Sequence, residues 1–219
     1  MKAYHLVEFG NLDGIKLQED PTPKPGPREA VVRVRARSLN ARDLLILRKL
    51  YPLPAIQGIV PVSDGAGEVV AVGEGTTRVA VGDRVAGTYF PRLRDGRIEP
   101  ELGMEQWGCT RNGSLAEFVT ADEQAFVKVP PHLSFDEAST LPCAALTAWS
   151  ALTGPRRVLA GESVLTIGTG GLALFALQFA KLFGANTFAI TSTDKKMEFL
   201  KRLGPITSST TSRTPTGTR

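Results

Sequence analysis

The sequence predicts a mainly β unit followed by a parallel α/β unit, and three observations carry that expectation. Short Val-rich segments separated by Gly-containing turns fill the chain up to about residue 125. At Ser134 the pattern turns helical. From Ser163 onward it runs strand, Gly-rich turn, apolar helix, strand, charged helix, which is a βαβα unit built on a parallel sheet. With 219 residues, 42% of them hydrophobic, the chain has apolar material for one large core or two modest ones.

The N-terminus, "MKAYHLVEFG", has no basic run followed by a long apolar one, so no signal peptide is expected. "PTPKPGPREAVVRVRARSL" is a Pro/Gly lead-in to a strand in which Arg33, Arg35 and Arg37 alternate with Val and Ala. That spacing puts the arginines on a solvated face, so the net charge of +4 is not expected to form a nucleic-acid patch. "LLILRKL" reads as a helix, and "GAGEVVAVGEGTTRVAVGDRVAGTYF" as a series of short strands suited to a small barrel or sandwich. "RLRDGRIEPELGMEQWGCTRNG" is polar and Gly-rich, a long loop before the strand "SLAEFVTA".

"SFDE" has the form of a capping box, with Ser134 accepting from the backbone and Glu137 reaching back. "ASTLPCAALTAWSAL" continues as helix with an interruption at Pro142. "SVLTI" is a strand, "GTGG" a turn, and an apolar helix follows to about Phe183, then the strand "NTFAIT" and the helix "DKKMEFLKRLG". The apolar stretch around the turn is broken by glycines and carries Gln178 and Lys181, so a membrane span is not expected. The two cysteines, Cys109 and Cys143, have neither metal-ligand nor redox spacing, and a reducing cytoplasmic location is expected.

The turn carries the chemistry. "GTGGLA" sets Gly168, Gly170 and Ala173 in a G-x-G-x-x-A pattern between a predicted strand and a predicted helix, the context in which the pattern binds a dinucleotide. Gly168 allows the tight turn, Gly170 lets the backbone approach a pyrophosphate, and Ala173 lets helix and strand pack closely. Thr169, Gly171 and Leu172 complete the phosphate-facing backbone at the helix N-terminus. An acidic residue at the end of the next strand would select NAD, but "AITSTDKK" has none at Thr191 or Ser192. The hydroxyls of Ser192 and Thr193 and the ammonium of Lys196 suit a 2′-phosphate, which favours NADP(H). Alternatively, Ser192, Thr193 and Asp194 only cap the next helix.

Strands containing "VGDRVAG" followed by this turn, together with "SLNARDL", "GAGEVVAVGEG", "LPCAALTAWSAL" and "GTGGLALFALQFAK", resemble the medium-chain dehydrogenase/reductase superfamily, over about residues 1 to 204. The resemblance implies a GroES-like catalytic barrel domain over 1–125, the first part of a Rossmann NADP-binding domain over 126–204, and hydride transfer to or from a small-molecule substrate. The nearest likeness is to zinc-lacking, quinone-oxidoreductase-like members. The zinc-ligand positions of the family's alcohol dehydrogenases fall on Asn40, on Ser63 and Asp64, and on Cys143, so one soft ligand remains of three and no metal is expected. By the same matching, Asn40 and Asp43 are the catalytic candidates and Thr147 would touch the nicotinamide. Asn40 reads equally as a turn residue at a strand end, and Asp43 as a helix cap. A full-length form would be a homodimer. The rival functions are a zinc alcohol dehydrogenase and a non-catalytic interaction module.

The resemblance gives out at the end, in "PITSSTTSRTPTGTR". In relatives the corresponding stretch commonly reads Ala-Asp-His-Val-Ile-Asn-Tyr. Codons for that run, read one base late, give Pro-Ile-Thr-Ser-Ser-Thr-Thr, which is the chain from Pro205 to Thr211. Residues 205–219 are therefore expected to be out-of-frame and disordered. A Ser/Thr-rich linker is the alternative. The chain would then supply two strands of an incomplete Rossmann sheet and bind NADPH weakly or not at all.

Overall fold

The computed structural model describes residues 1–93 and 103–203 with their side chains, and residues 207–210 as backbone. The chain divides into two compact units, Met1–Cys143 and Ala144–Arg219.

The first unit is built on a five-stranded antiparallel sheet. Its strands are β3 (Glu29–Ser38), β4 (Asp64–Val72), β5 (Arg84–Gly87), β6 (Phe118–Asp122) and β7 (Phe126–Lys128), in the order β6-β3-β4-β5-β7. Alternation decides which way β3 faces. Val32, Val34 and Ala36 are buried while Arg33, Arg35 and Arg37 are exposed, as the spacing predicts. Ala30, Val32, Val69, Val85, Trp107 and Phe126 form the main core. A second, two-stranded sheet pairs β1 (Lys2–Leu6) with β2 (Ile15–Glu19), which the sequence analysis did not anticipate. Helix α1 (Ala41–Leu47) follows β3 directly.

The boundary between units differs from the expected 125/126. β7 pairs with β5, and α2 (Phe135–Ser139) packs on β3 and β4, so the first unit runs on to Cys143. α2 starts at the expected capping box: Ser134 Oγ accepts from Glu137 N at 3.1 Å and Glu137 accepts from Ser134 N at 2.8 Å. Pro142 coincides with a π-turn over Leu141–Ala145.

The second unit begins with α3 (Leu146–Thr153), which packs on α4 (Gly171–Leu182) through Trp149 against Phe179 and Phe183. β8 (Ser163–Ile167) and β9 (Asn186–Thr191) are parallel neighbours, and α5 (Asp194–Arg202) follows. Leu177 of α4, Ala189 of β9 and Leu200 of α5 make its core.

Two expectations about the C-terminal segment are corrected here. Thr207–Thr210 is not disordered but forms β10, parallel to β9, so the sheet has three strands in the order β10-β9-β8 rather than two. The cause is local: β-branched threonines follow Ile206, and the outer edge of β9 offers unpaired N–H and C=O groups. The rest of 205–219 lies outside the described residues. Among the described residues no helix is long and apolar enough to cross a membrane.

Candidate functional site

Two sets of predicted residues stand in separate units. In the second unit the Gly-rich turn closes β8. Gly168 sits at φ +94°, a left-handed conformation that glycine alone adopts without strain, and its N–H bonds Ile190 O at 2.7 Å. Gly170 is the N-cap of the 12-residue helix α4, and no side chain caps it. Its φ is −76°, and a Cβ added there would meet nothing within 4 Å. Packing within the unit therefore does not require glycine at 170; the bare backbone is left open to solvent. Thr169, Gly171 and Leu172 line the same helix end, where amide hydrogens and the helix dipole favour an anion.

At the end of β9, Lys196 Nζ lies 3.4 Å from Ser192 Oγ, and both residues are exposed. Thr193 is the N-cap of α5, its hydroxyl accepting from Lys196 N at 3.3 Å. The capping alternative thus holds for Thr193, while Ser192 and Lys196 remain directed at one another. Thr147 is exposed on α3.

In the first unit, Asn40 and Asp43 meet a buried polar cluster. Asp43 acts as a cap, accepting from Asn40 N at 2.8 Å through Oδ2. Its Oδ1 and the Asn40 Nδ2 are buried without a hydrogen-bond partner. Burial pushes the Asp43 carboxyl above its usual range, the Asn40 N–H and the Arg42 charge work against this, and Asp64 adds to it. Asp64, at the start of β4, is fully buried; Oδ1 accepts from Ser63 Oγ at 2.6 Å and Oδ2 from Cys143 N at 3.0 Å. Desolvation raises its carboxyl too, against hydrogen bonds from Ser63 and Cys143, and the Asn40 side chain lies near enough to favour its charge without a bond of normal geometry to Nδ2.

Arg42 was not a candidate from sequence, yet only 7% of it is exposed. Its guanidinium lies 5.0 Å from the ring centroids of both Tyr51 and Tyr89, and it donates to Trp107 O at 2.9 Å and to Gln106 Oε1 at 3.2 Å. The one available sequence signal was its place between Asn40 and Asp43. Tyr51, Tyr89 and Gln106 come from distant segments and carried none.

The zinc-ligand positions do not suit a metal. Burial and the neighbouring Asp64 push the Cys143 thiol up to about 11. Both oxygens of Asp64 already accept hydrogen bonds, and among the described residues no group of three His, Cys, Asp or Glu side chains could hold an ion.

Asp64→Asn is expected to keep both hydrogen bonds, with the amide donating to Ser63 Oγ and accepting from Cys143 N. A carboxyl raised by folding contributes stability that is full below its unfolded value of about 3.9 and lost as pH rises through its folded value. The variant should therefore melt above the parent at pH 8, with the gap closing towards pH 4. A gap that stays constant with pH in thermal melts would show that Asp64 does not titrate this way.

The sequence matches the Alcohol dehydrogenase GroES-like domain family over residues 26–131. A zinc-type alcohol dehydrogenase-like protein of Schizosaccharomyces pombe is 41% identical across 95% of this chain and 61% of its own length. The crystal structure of a putative alcohol dehydrogenase from Sinorhizobium meliloti superposes with a TM-score of 0.86 at 39% identity, over 94% of this chain and 61% of that one. A quinone oxidoreductase of Pseudomonas syringae does so with a TM-score of 0.80 at 28% identity, over 98% of this chain and 60% of its own. The chain spans about three fifths of the length of these relatives. The domain match, the relatives and the superposed structures agree: the chain belongs to the medium-chain dehydrogenase/reductase superfamily.

Proposed function

We propose that this chain belongs to an NADP(H)-dependent oxidoreductase that moves hydride between the nicotinamide and a carbonyl, alcohol, enone or quinone substrate without zinc. The observation that carries the reading is Gly170, open where a Cβ would sit, at the head of a helix and two residues after a left-handed Gly168. The turn's amides would hold the pyrophosphate, and Lys196 with Ser192 the 2′-phosphate. When bound, the cofactor supplies or takes the hydride. Asn40 and Asp43 supply the rest: a buried donor and a buried acceptor, neither with a hydrogen-bond partner, match an oxygen that accepts a hydrogen bond as a carbonyl and donates one as a hydroxyl. Raised proton affinity suits Asp43 to exchange that proton nearer neutral pH.

The half-site present in this chain can be tested alone by calorimetric titration with adenosine 2′,5′-bisphosphate and with 5′-AMP. The bisphosphate should bind about tenfold tighter, the worth of one charge-assisted hydrogen bond, and Lys196→Ala should remove the difference. Equal affinities would leave NAD as the cofactor. Gly170→Ala should keep the melting temperature within a few degrees, since an N-cap change from glycine costs at most about 1 kcal/mol, while losing the bisphosphate. Binding that survives in Gly170→Ala would show that the backbone at Gly170 does not hold the ligand.

A further inference from the structure

An arginine rarely lies buried without a bidentate carboxylate beside it. Arg42 does: the nearest carboxylate oxygen among its ion pairs is Asp43 Oδ1 at 3.9 Å, and both guanidinium hydrogen bonds go to neutral oxygens, Trp107 O and Gln106 Oε1. What holds it is aromatic. Tyr51 and Tyr89 face it from opposite segments, and their hydroxyls lie 2.8 Å and 3.1 Å from the same Gln106 Oε1. Each of these partners is tied in turn. Gln106 donates to Gly103 O at 3.0 Å, and its backbone N–H bonds Thr110 Oγ1 at 2.9 Å. The guanidinium therefore cannot swing towards solvent without breaking two cation–π contacts and two hydrogen bonds.

The geometry points to Arg42 as the positioning residue of the Asn40–Asp43 site: an immobile cation 3.9 Å from Asp43 Oδ1 that fixes this side of the carboxyl while Oδ2 accepts from the Asn40 N–H. An opposite charge at this range favours the charged form of a carboxyl, and low polarity around the pair strengthens the effect. The same fixed charge lies near Asp64, Cys143 and Cys109, and it favours the ionised form of each. Burial opposes the charge on Arg42, but Tyr89, Tyr51 and Asp43 more than offset this, so the guanidinium stays charged. The groups facing the pair are thus Asp64, Cys109, Cys143, Tyr51 and Tyr89.

This inference rests on the reading of Asp43 as a site residue, but its test needs no turnover. In the full chain labelled with carboxyl-13C aspartate, Asp43 is assigned by the signal lost in Asp43→Asn and followed from pH 3 to 9. Arg42→Gln should raise the Asp43 midpoint by about one pH unit, tenfold in proton affinity. Arg42→Lys should return most of it, because charge rather than shape is required. An unchanged midpoint in a folded Arg42→Gln chain overturns the proposal. If that variant does not fold, Tyr89→Leu frees one face of the guanidinium, and an Asp43 midpoint unmoved there overturns it equally. Loss of adenosine 2′,5′-bisphosphate binding with a normal Arg42 effect would overturn the cofactor reading and leave this one standing.

Discussion

Alanine in place of Gly113 is expected to leave the first unit unfolded. A Cβ at this position would lie 2.1 Å from Val62 O, 2.5 Å from Pro61 O and 2.9 Å from Gly108 Cα. All three are backbone atoms, so no rotamer change relieves the clash. Nor can the two segments separate cheaply, because Gly113 N bonds Val60 O at 2.7 Å and Ser114 N bonds Val62 O at 2.8 Å. Val62 is already held at φ +73°, a left-handed conformation that a β-branched residue adopts only under constraint. Moving it would also displace Ser63 and Asp64. The cost should exceed about 4 kcal/mol, a large share of the 5–15 kcal/mol that usually separates folded from unfolded states. Gly58→Ala is the control: its φ is +84° but nothing lies within 4 Å of an added Cβ, so it should cost only about 1 kcal/mol. Urea unfolding of the two variants compares them, and equal midpoints would show that the close approach at Gly113 is relieved at little cost.

The second large effect concerns association. In β8 and β9, Leu165 stands opposite Phe188 and Ile167 opposite Ile190, on one face of the sheet. The other face is buried: Thr166, Thr187 and Ala189 are covered, with Leu177 and Leu200 packed against Ala189. The first face is not, with Leu165 57% and Ile167 80% exposed. Parallel sheets are ordinarily covered on both faces, and an apolar patch beside a free strand edge promotes association. The chain is therefore expected to self-associate with rising concentration, and Leu165→Thr with Ile167→Lys to lower the association constant at least about tenfold by removing several kcal/mol of apolar burial. Sedimentation velocity checks both. A chain that stays monomeric at high concentration would mean that this face does not drive association.

The sequence was most legible where one segment suffices. "SVLTI" and "NTFAIT" are strands over the residues expected, and Ser134 caps its helix, because period and capping are local properties. The Gly-rich turn between β8 and α4 was legible for the same reason. The polar cluster was not. Arg42, Tyr51, Tyr89, Gln106 and Asp64 lie on five stretches of chain that only tertiary contacts bring together. The β1–β2 pair was missed because "KAYHL" and "IKLQE" bury too little to show a clean alternation. The boundary near 125 failed because β7 is three residues long and is held by pairing, which periodicity does not report.

Strand β10 has a consequence for how such a unit tolerates change. It joins β9 in register from Thr207 beside Phe188 to Thr210 beside Thr191, through a parallel main-chain ladder. A ladder of this kind asks its newcomer for extended backbone and little else, and the helix before it sets the distance and the hand of the crossover. The edge of β9 thus works as a mould for main chain, open to a segment that avoids proline and favours β-branched residues.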